Sequence, residues 1–342
     1  MNSTNTNDLC RITIAQPIRT TFLAILLMLV AATATVTAQQ DSEAGPQFTE
    51  PQTVYYEFGL KITSKGESTG IIGTVPIPVD WPEQTITIVD ERKTDNIRTL
   101  SYKDFKGRLR QLVIKANRLS TGEVAQGSVV FQVQKKNITA PESTQELVFA
   151  TKVPAKIKQY LKPSPYIESK HSKIKKLAKE IPLDEDKPAW DQIATIYEWV
   201  REKIEYKFDT QIHSCLDALE SGHGDCEELS SVFIAICRAK GIPARAVWIP
   251  GHTYPEFYLA DANGDGHWFP CQAAGSYQFG EMEETKPILQ KGDRFKLPGS
   301  KKYLRYIRPS LSAKDSAAGL SIEFIAKPLD PADIKGSSKS PR

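Results

Sequence analysis

The sequence predicts an α+β chain in which an all-β region comes first and a helix packed on an antiparallel sheet follows. Three observations carry this reading. Between Thr53 and about Thr151, short runs rich in β-branched and aromatic residues alternate with Gly, Pro, Asn and Asp and show no helical period. From Leu229 the apolar residues recur at Val232, Phe233, Ile236 and Cys237, the i, i+3, i+4, i+7, i+8 spacing of one helical face. Directly after that helix, residues 244–250, 251–259 and the stretch around 268–272 read as three strands, the last two separated by the turn-rich Asp261-Ala262-Asn263-Gly264-Asp265-Gly266.

The β region holds runs at 54–62, 70–77, 84–89, 111–115, 128–134 and 146–150. Their length and spacing are those of a β-sandwich, and no cluster of reactive side chains falls among them, so the region reads as a scaffold or substrate-recognition module. Lys162-Pro163-Ser164-Pro165 marks a linker. Helices follow at 169–180 and 189–203, the second carrying Ile193, Ile196, Tyr197 and Val200 on one face, with Trp199 read as core. Lys173, Lys175, Lys176 and Lys179 alternate with Ile174, Leu177 and Ala178 and read as a solvated helix face. Late strands are expected at 303–307 and 320–325, before a Ser-, Lys- and Pro-rich tail expected to be disordered. The resulting division is a leader (1–38), a β-sandwich-like domain (39–160), the helix-and-sheet domain (161–280), a C-terminal strand extension (281–328) and the tail (329–342).

Both ends of the helix beginning at Cys226 are written in the sequence. Asp225 is a natural N-cap, Glu228 completes a capping box, and Gly241 and Pro243 supply stop signals. Cys226 therefore falls in the first turn, where free N–H groups and the helix dipole favour thiolate over thiol. Glu227 and Glu228 push the other way, so activation needs a cationic partner. His252, at the start of the second strand, can take the thiol proton and later protonate a leaving amine.

The run Gly224-Asp225-Cys226 through Cys237-Arg238-Ala239-Lys240-Gly241-Ile242-Pro243-Ala244-Arg245 resembles the core motif of the transglutaminase-like superfamily. The likeness extends to the His252 strand, to Trp268-Phe269-Pro270, and upstream to Ile196-Tyr197-Glu198-Trp199-Val200 and Ile204-Glu205-Tyr206, over roughly residues 160 to 275. The resemblance implies a papain-like transglutaminase core and a Cys, His, Asp triad for acyl transfer. Cys226 matches the nucleophile and His252 the base, whereas the acid position falls on Gln272. An amide oxygen can still fix the histidine tautomer, but it stabilises an imidazolium less than a carboxylate does. Glu256 and Asp261 are alternative acids, neither at the matched position.

Arg11 and Arg19 precede an apolar run from Phe22 to Ala32, and Val36-Thr37-Ala38 is an A-x-A-like cleavage site, together reading as a secretory signal. The run is short for a membrane span, so an exported periplasmic or secreted protein without stable membrane insertion is expected. Removing residues 1–38 leaves 42 basic and 40 acidic residues, a net charge of +2 that implies no nucleic-acid partner. Four cysteines remain: Cys226 and Cys237 lie too far apart along one helix to pair, Cys237 reads as core, and Cys215 with Cys271 is the candidate bridge. Cys215 or Cys271 could instead trap Cys226 as an inhibitory disulfide. Asp261-x-Asn263-x-Asp265-Gly266 opens like a calcium loop, but its twelfth position is Gln272, and a hairpin turn fits better. His223 and His267 flank the key motifs, where they could touch substrate, and read first as surface histidines; His213 gives no particular signal. No zinc-ligand spacing occurs, and neither metal nor cofactor is implied. Three functional classes remain: a thiol amide hydrolase acting on a peptide or protein, a transamidase crosslinking glutamine and lysine side chains, and a binding module that keeps the fold with a weakened triad.

Overall fold

The computed structural model describes residues 44–334. The expected signal peptide lies outside the described residues, as do residues 335–342 of the tail. The first region contributes strands β1 (Gln52–Ser64), β2 (Ser68–Ile77), β3 (Gln84–Lys93), β4 (Ile97–Phe105), β5 (Leu109–Leu119) and β6 (Val124–Lys135). Helices α1 (Ser172–Glu180), α2 (Ala189–Lys203), α3 (Cys215–Ser221) and α4 (Cys226–Ala239) follow. The principal remaining strands are β7 (Ala244–Ile249), β8 (His252–Ala260), β9 (Gly266–Pro270), β10 (Gln290–Lys291), β11 (Ser310–Ser312) and β12 (Leu320–Leu329).

The β region is a sandwich of two antiparallel sheets, ordered β12-β1-β6-β3 and β11-β2-β5-β4. Alternate residues point inward, so Phe58, Leu60 and Ile62 of β1 share one buried cluster with Phe131 and Val133 of β6 and with Val75 and Ile114 from the other sheet. Each such fully buried side chain contributes about 1.5–3 kcal/mol. Strand β4 is not anticipated from the sequence because its register slips between Ile97 and Thr99, which breaks the alternation that would have revealed it. Strand β12 pairs with β1 from Leu320↔Ser64 to Leu329↔Tyr55, so the C-terminal segment completes the N-terminal sandwich. The tail is ordered somewhat further than expected, with a 3-10 turn at Pro331–Asp333 after that strand.

Two expected strands are not formed. Within 146–150, Val148 alone bridges Ala260 at the end of β8, and Leu147 joins the core of the second half rather than the sandwich. Residues 303–307 are irregular, with Leu304 bridging Phe295 and Arg305 and Ile307 buried. The missed helix α3 has its own signal, a reciprocal capping box between Ser214 and Asp217 and Gly222 at φ +73° closing its end.

The second half packs sheet β9-β8-β7-β10 against α4, which α1, α2 and α3 also contact. The sequence stripe predicts one buried face on α4, but every residue from Glu228 to Arg238 is buried. The difference follows from that enclosure, and the polar residues are satisfied within it. Ser230 donates to the Thr253 carbonyl (3.4 Å) and Ser231 to the Glu227 carbonyl (2.7 Å). Arg238 donates to the Ala244 and Lys162 carbonyls, to Ser164 Oγ, and to both oxygens of buried Asp293 at 2.9 and 2.7 Å. The sandwich and the core sheet meet through Lys291 of β10, whose ammonium bridges Glu83 and Glu256 (2.5 Å to the latter). The lysine-rich face of α1 is exposed as expected. The proposed Cys215–Cys271 bridge is absent, since all four described cysteines are free and the Cys215 thiol donates to Glu168 Oε2 (3.0 Å).

Candidate active site

Cys226 is held at its place by the cap that precedes it. Asp225 accepts from the Glu227 N–H (2.7 Å), while Glu228 accepts from the Asp225 N–H (3.0 Å) and from the His213 N–H (2.9 Å). Gly224 is required for this closeness, because a Cβ there would sit 2.5 Å from Glu228 Cβ. The Cys226 sulfur, half-buried, meets the backbone N–H of Thr253 on β8.

His252 is fixed by the tight Pro250-Gly251 turn that joins β7 to β8, with Gly251 at φ +70° and His252 paired to Ile249. Its Nε2 lies 2.8 Å from Gln272 Oε1. Nε2–H donates to the amide oxygen, which leaves Nδ1 unprotonated. Gln272 is anchored through its backbone: its carbonyl accepts from Tyr197 Oη (2.9 Å) and Arg201 Nη1 (2.8 Å), and Arg201 Nη2 also holds the Gly275 carbonyl (2.9 Å). Tyr197 and Arg201, one turn apart on α2, thus fix the segment that orients the histidine. Sequence reading placed Tyr197 in the core and passed over Arg201, because carbonyl capping across 71 residues leaves no local signal.

The alternative acids are committed elsewhere. Glu256 is buried between Arg245 (2.6 Å) and Lys291. Asp261 Oδ1 accepts from the Asn263 and Asp265 N–H groups (2.9 Å each), forming the β8–β9 hairpin turn, and Asp261 Oδ2 lies 3.3 Å from His267 Nε2. His213 pairs with Asp209 at 3.1 Å, and His223 is exposed. Tyr206 was not singled out as a site residue, although it lies in the Ile204-Glu205-Tyr206 run. Residues Glu205–Tyr206 pair in parallel with His223–Gly224, which sets Tyr206 beside Gly224. Burial, and then the negative potential of Cys226 and Asp225, raise its phenol pKa.

The electrostatics settle the direction in which the opposing effects on Cys226 leave its thiol. Burial, reinforced by Asp225, Glu227 and Glu228 and only partly offset by the Thr253 N–H, pushes the Cys226 thiol up to about 11. Burial likewise lowers His252, against the smaller raising effect of Gln272. The helix dipole alone does not activate the cysteine: at neutral pH the pair rests as thiol and imidazole, and proton transfer must accompany attack.

A family model for the transglutaminase-like superfamily matches residues 175–273, a segment containing Cys226, His252 and Gln272. This segment is a transglutaminase-like domain. A crystal structure titled "Putative Cysteine Protease" from Cytophaga hutchinsonii superposes with a TM-score of 0.54 at 17% identity, covering 83% of this chain and 93% of that one. The shared fold therefore spans the sandwich as well as the transglutaminase-like domain. A structure titled "Putative Protease" from Parabacteroides distasonis aligns at 11% identity and a TM-score of 0.24, over 66% of this chain and 68% of that one. No curated protein matches the chain. The family and the fold support a thiol-dependent enzyme. Among the described residues no group of His, Cys, Asp and Glu could hold a metal, and no helix is long and apolar enough to cross a membrane.

Proposed function

We propose that the protein is an exported thiol-dependent amide hydrolase, a peptidase or amidase, working through a Cys226 acyl-enzyme. The observation that carries the reading is the hydrogen bond by which Gln272 occupies His252 Nε2 and leaves Nδ1 as the free base, on a strand whose next residue, Thr253, meets the Cys226 sulfur through its N–H. Cys226 Sγ attacks the amide carbon as its proton passes to Nδ1, and a C–S bond forms. The developing oxyanion is held by the Cys226 N–H, which has no partner within the helix, and by the Tyr206 hydroxyl. The C–N bond breaks as Nδ1–H protonates the leaving amine. A water molecule, deprotonated by Nδ1, then attacks the thioester, the C–S bond breaks, and the free acid leaves with the thiol restored. Tyr206, Phe208 and Tyr277 are 55%, 70% and 58% exposed around these elements, a rim suited to an extended polypeptide. Export rests on the charged, apolar and small-residue order of residues 1–38.

The test is turnover of a peptide library by the mature wild-type protein and by Cys226→Ala and His252→Ala. Free acid released by wild type and lost in Cys226→Ala is the expected result. Incorporation of a tagged amine without acid release would replace hydrolysis by transamidation, and activity retained in Cys226→Ala would remove the nucleophile.

A further inference from the structure

A cavity of about 790 Å³ opens between the sandwich and the transglutaminase-like domain, and its wall includes Glu227, the residue following the nucleophile. Its charged lining is one-sided: Lys103, Arg305 and Arg308 against Glu227 alone. Arg305 is only 6% exposed. Its Nη2 is used, donating to the Glu227 carbonyl at 2.9 Å and lying 3.3 Å from Glu227 Oε2. Its Nε and Nη1 are buried with no hydrogen-bond partner. Buried N–H groups on a permanent cation are costly to leave unpaired, and Nε–H and the Nη1 hydrogens point to different sides of the guanidinium, so each is free to donate singly to an acceptor oxygen.

Two aromatic rings stand beside the guanidinium. The guanidinium lies 5.2 Å from the Trp248 ring centre and 5.8 Å from that of Tyr166. Trp248 is fixed, its indole N–H donating to the Gly292 carbonyl at 2.7 Å. Tyr166 is 41% exposed and stands at φ +67°, after Pro165 in the tight turn closed by Ser164 and Ile167, where glycine is the ordinary occupant. Tyr166, an exposed ring that lines the same cavity, is the movable neighbour of this guanidinium.

We propose that this cavity is an acidic-group subsite: Arg305, uncovered by movement of Tyr166 and assisted by Lys103 and Arg308, binds a carboxylate of the acyl-donor peptide close to the scissile amide. The proposal rests on the amide-hydrolase reading and gives it a substrate class, peptides carrying an acidic side chain or a free C-terminal carboxylate near the cleaved bond. Phe105 of the sandwich lines the opposite wall, so the β region takes part in recognition.

The experiment measures binding by fluorescence anisotropy to the full-length mature Cys226→Ala protein, which needs no turnover. The probes are fluorescein-labelled peptide pools matched in pairs, Glu against Gln at each position, and free-acid against amide C-termini. One Glu position, or the free terminus, is expected to bind about 10- to 100-fold tighter than its neutral partner, and which pair responds identifies the source of the carboxylate. Arg305→Gln is expected to reduce the ratio to near one. Tyr166→Gly, which suits the turn and removes the ring, is expected to raise it, and this arm decides should Arg305→Gln not fold. Equal binding of charged and neutral partners, no binding of any pool, a preference that survives Arg305→Gln in a folded protein, or a preference unmoved by Tyr166→Gly would overturn the subsite. A persistent preference with no acid release by wild type would instead sink hydrolysis and leave the subsite standing.

Discussion

Replacing Gln272 by Glu puts a carboxylate oxygen where the amide oxygen now lies, 2.8 Å from His252 Nε2, without shortening the side chain. With charge centres about 4 Å apart and an effective dielectric constant of about 20, the new ion pair is worth about 4 kcal/mol, or roughly 3 pKa units, as a ceiling. Both side chains are half-buried, and discounting for solvent leaves about 1–2 units of upward shift on a histidine that burial now holds below its ordinary value. The imidazolium would then persist to near neutral pH and hold the neighbouring thiolate as its ion-pair partner. The assay is the pH dependence of Cys226 alkylation by iodoacetamide, followed by peptide-resolved mass spectrometry. In wild type, reactivity should climb only towards the thiol pKa of about 11. In Gln272→Glu, labelling near neutral pH should rise about 10- to 100-fold, and His252→Ala in that background should cancel the gain. Identical profiles for wild type and Gln272→Glu would refute the assignment of Gln272 as the histidine's partner. Fast wild-type labelling below pH 7 would refute the neutral resting pair.

Arg201→Met removes the carbonyl clamp on residues 272–275 and should lower kcat/KM by about 10- to 100-fold while leaving Cys226 alkylation at high pH unchanged; a wild-type kcat/KM would rule out the clamp. Arg238→Met leaves the fully buried Asp293 carboxylate without its charge partner, and urea unfolding should report a loss of about 3–5 kcal/mol. Asp225 carries a pKa raised to about 7, well above the ordinary carboxylate range, chiefly by burial and then by Glu228. The folded state therefore holds a proton the unfolded chain has released, and stability falls as pH rises across that window. Asp225→Asn should flatten this fall, so its melting temperature relative to wild type rises between about pH 4 and about pH 8; a constant difference would remove the linkage.

What was legible in the sequence was local. The α4 cap, its stop at Gly241, the β7–β8–β9 order and most of the sandwich strands follow from side-chain period and turn chemistry acting within a few residues. The same local signals placed Cys226 on a helix terminus and His252 on a strand start, and the family resemblance placed the third position of the triad on Gln272. Strand β4 escaped because one bulge erased its alternation, and α3 because seven residues carry too little period to compete with the flanking loops.

The tertiary structure decided the long-range terms. Enclosure of α4 on all sides, the pull of Lys291 and Arg245 on Glu256, and the pairing of β12 with β1 each depend on groups far apart in the chain. It also set the charge state of the nucleophile: the sequence supplied a helix dipole favouring thiolate and adjacent carboxylates opposing it, and folding supplied the burial that decides for the thiol. The sequence by itself determined which groups could react, because caps, turns and periodicity are short-range. Only the fold determined how strongly each is held and in which protonation state, because desolvation and Coulomb interaction are set by neighbours in space.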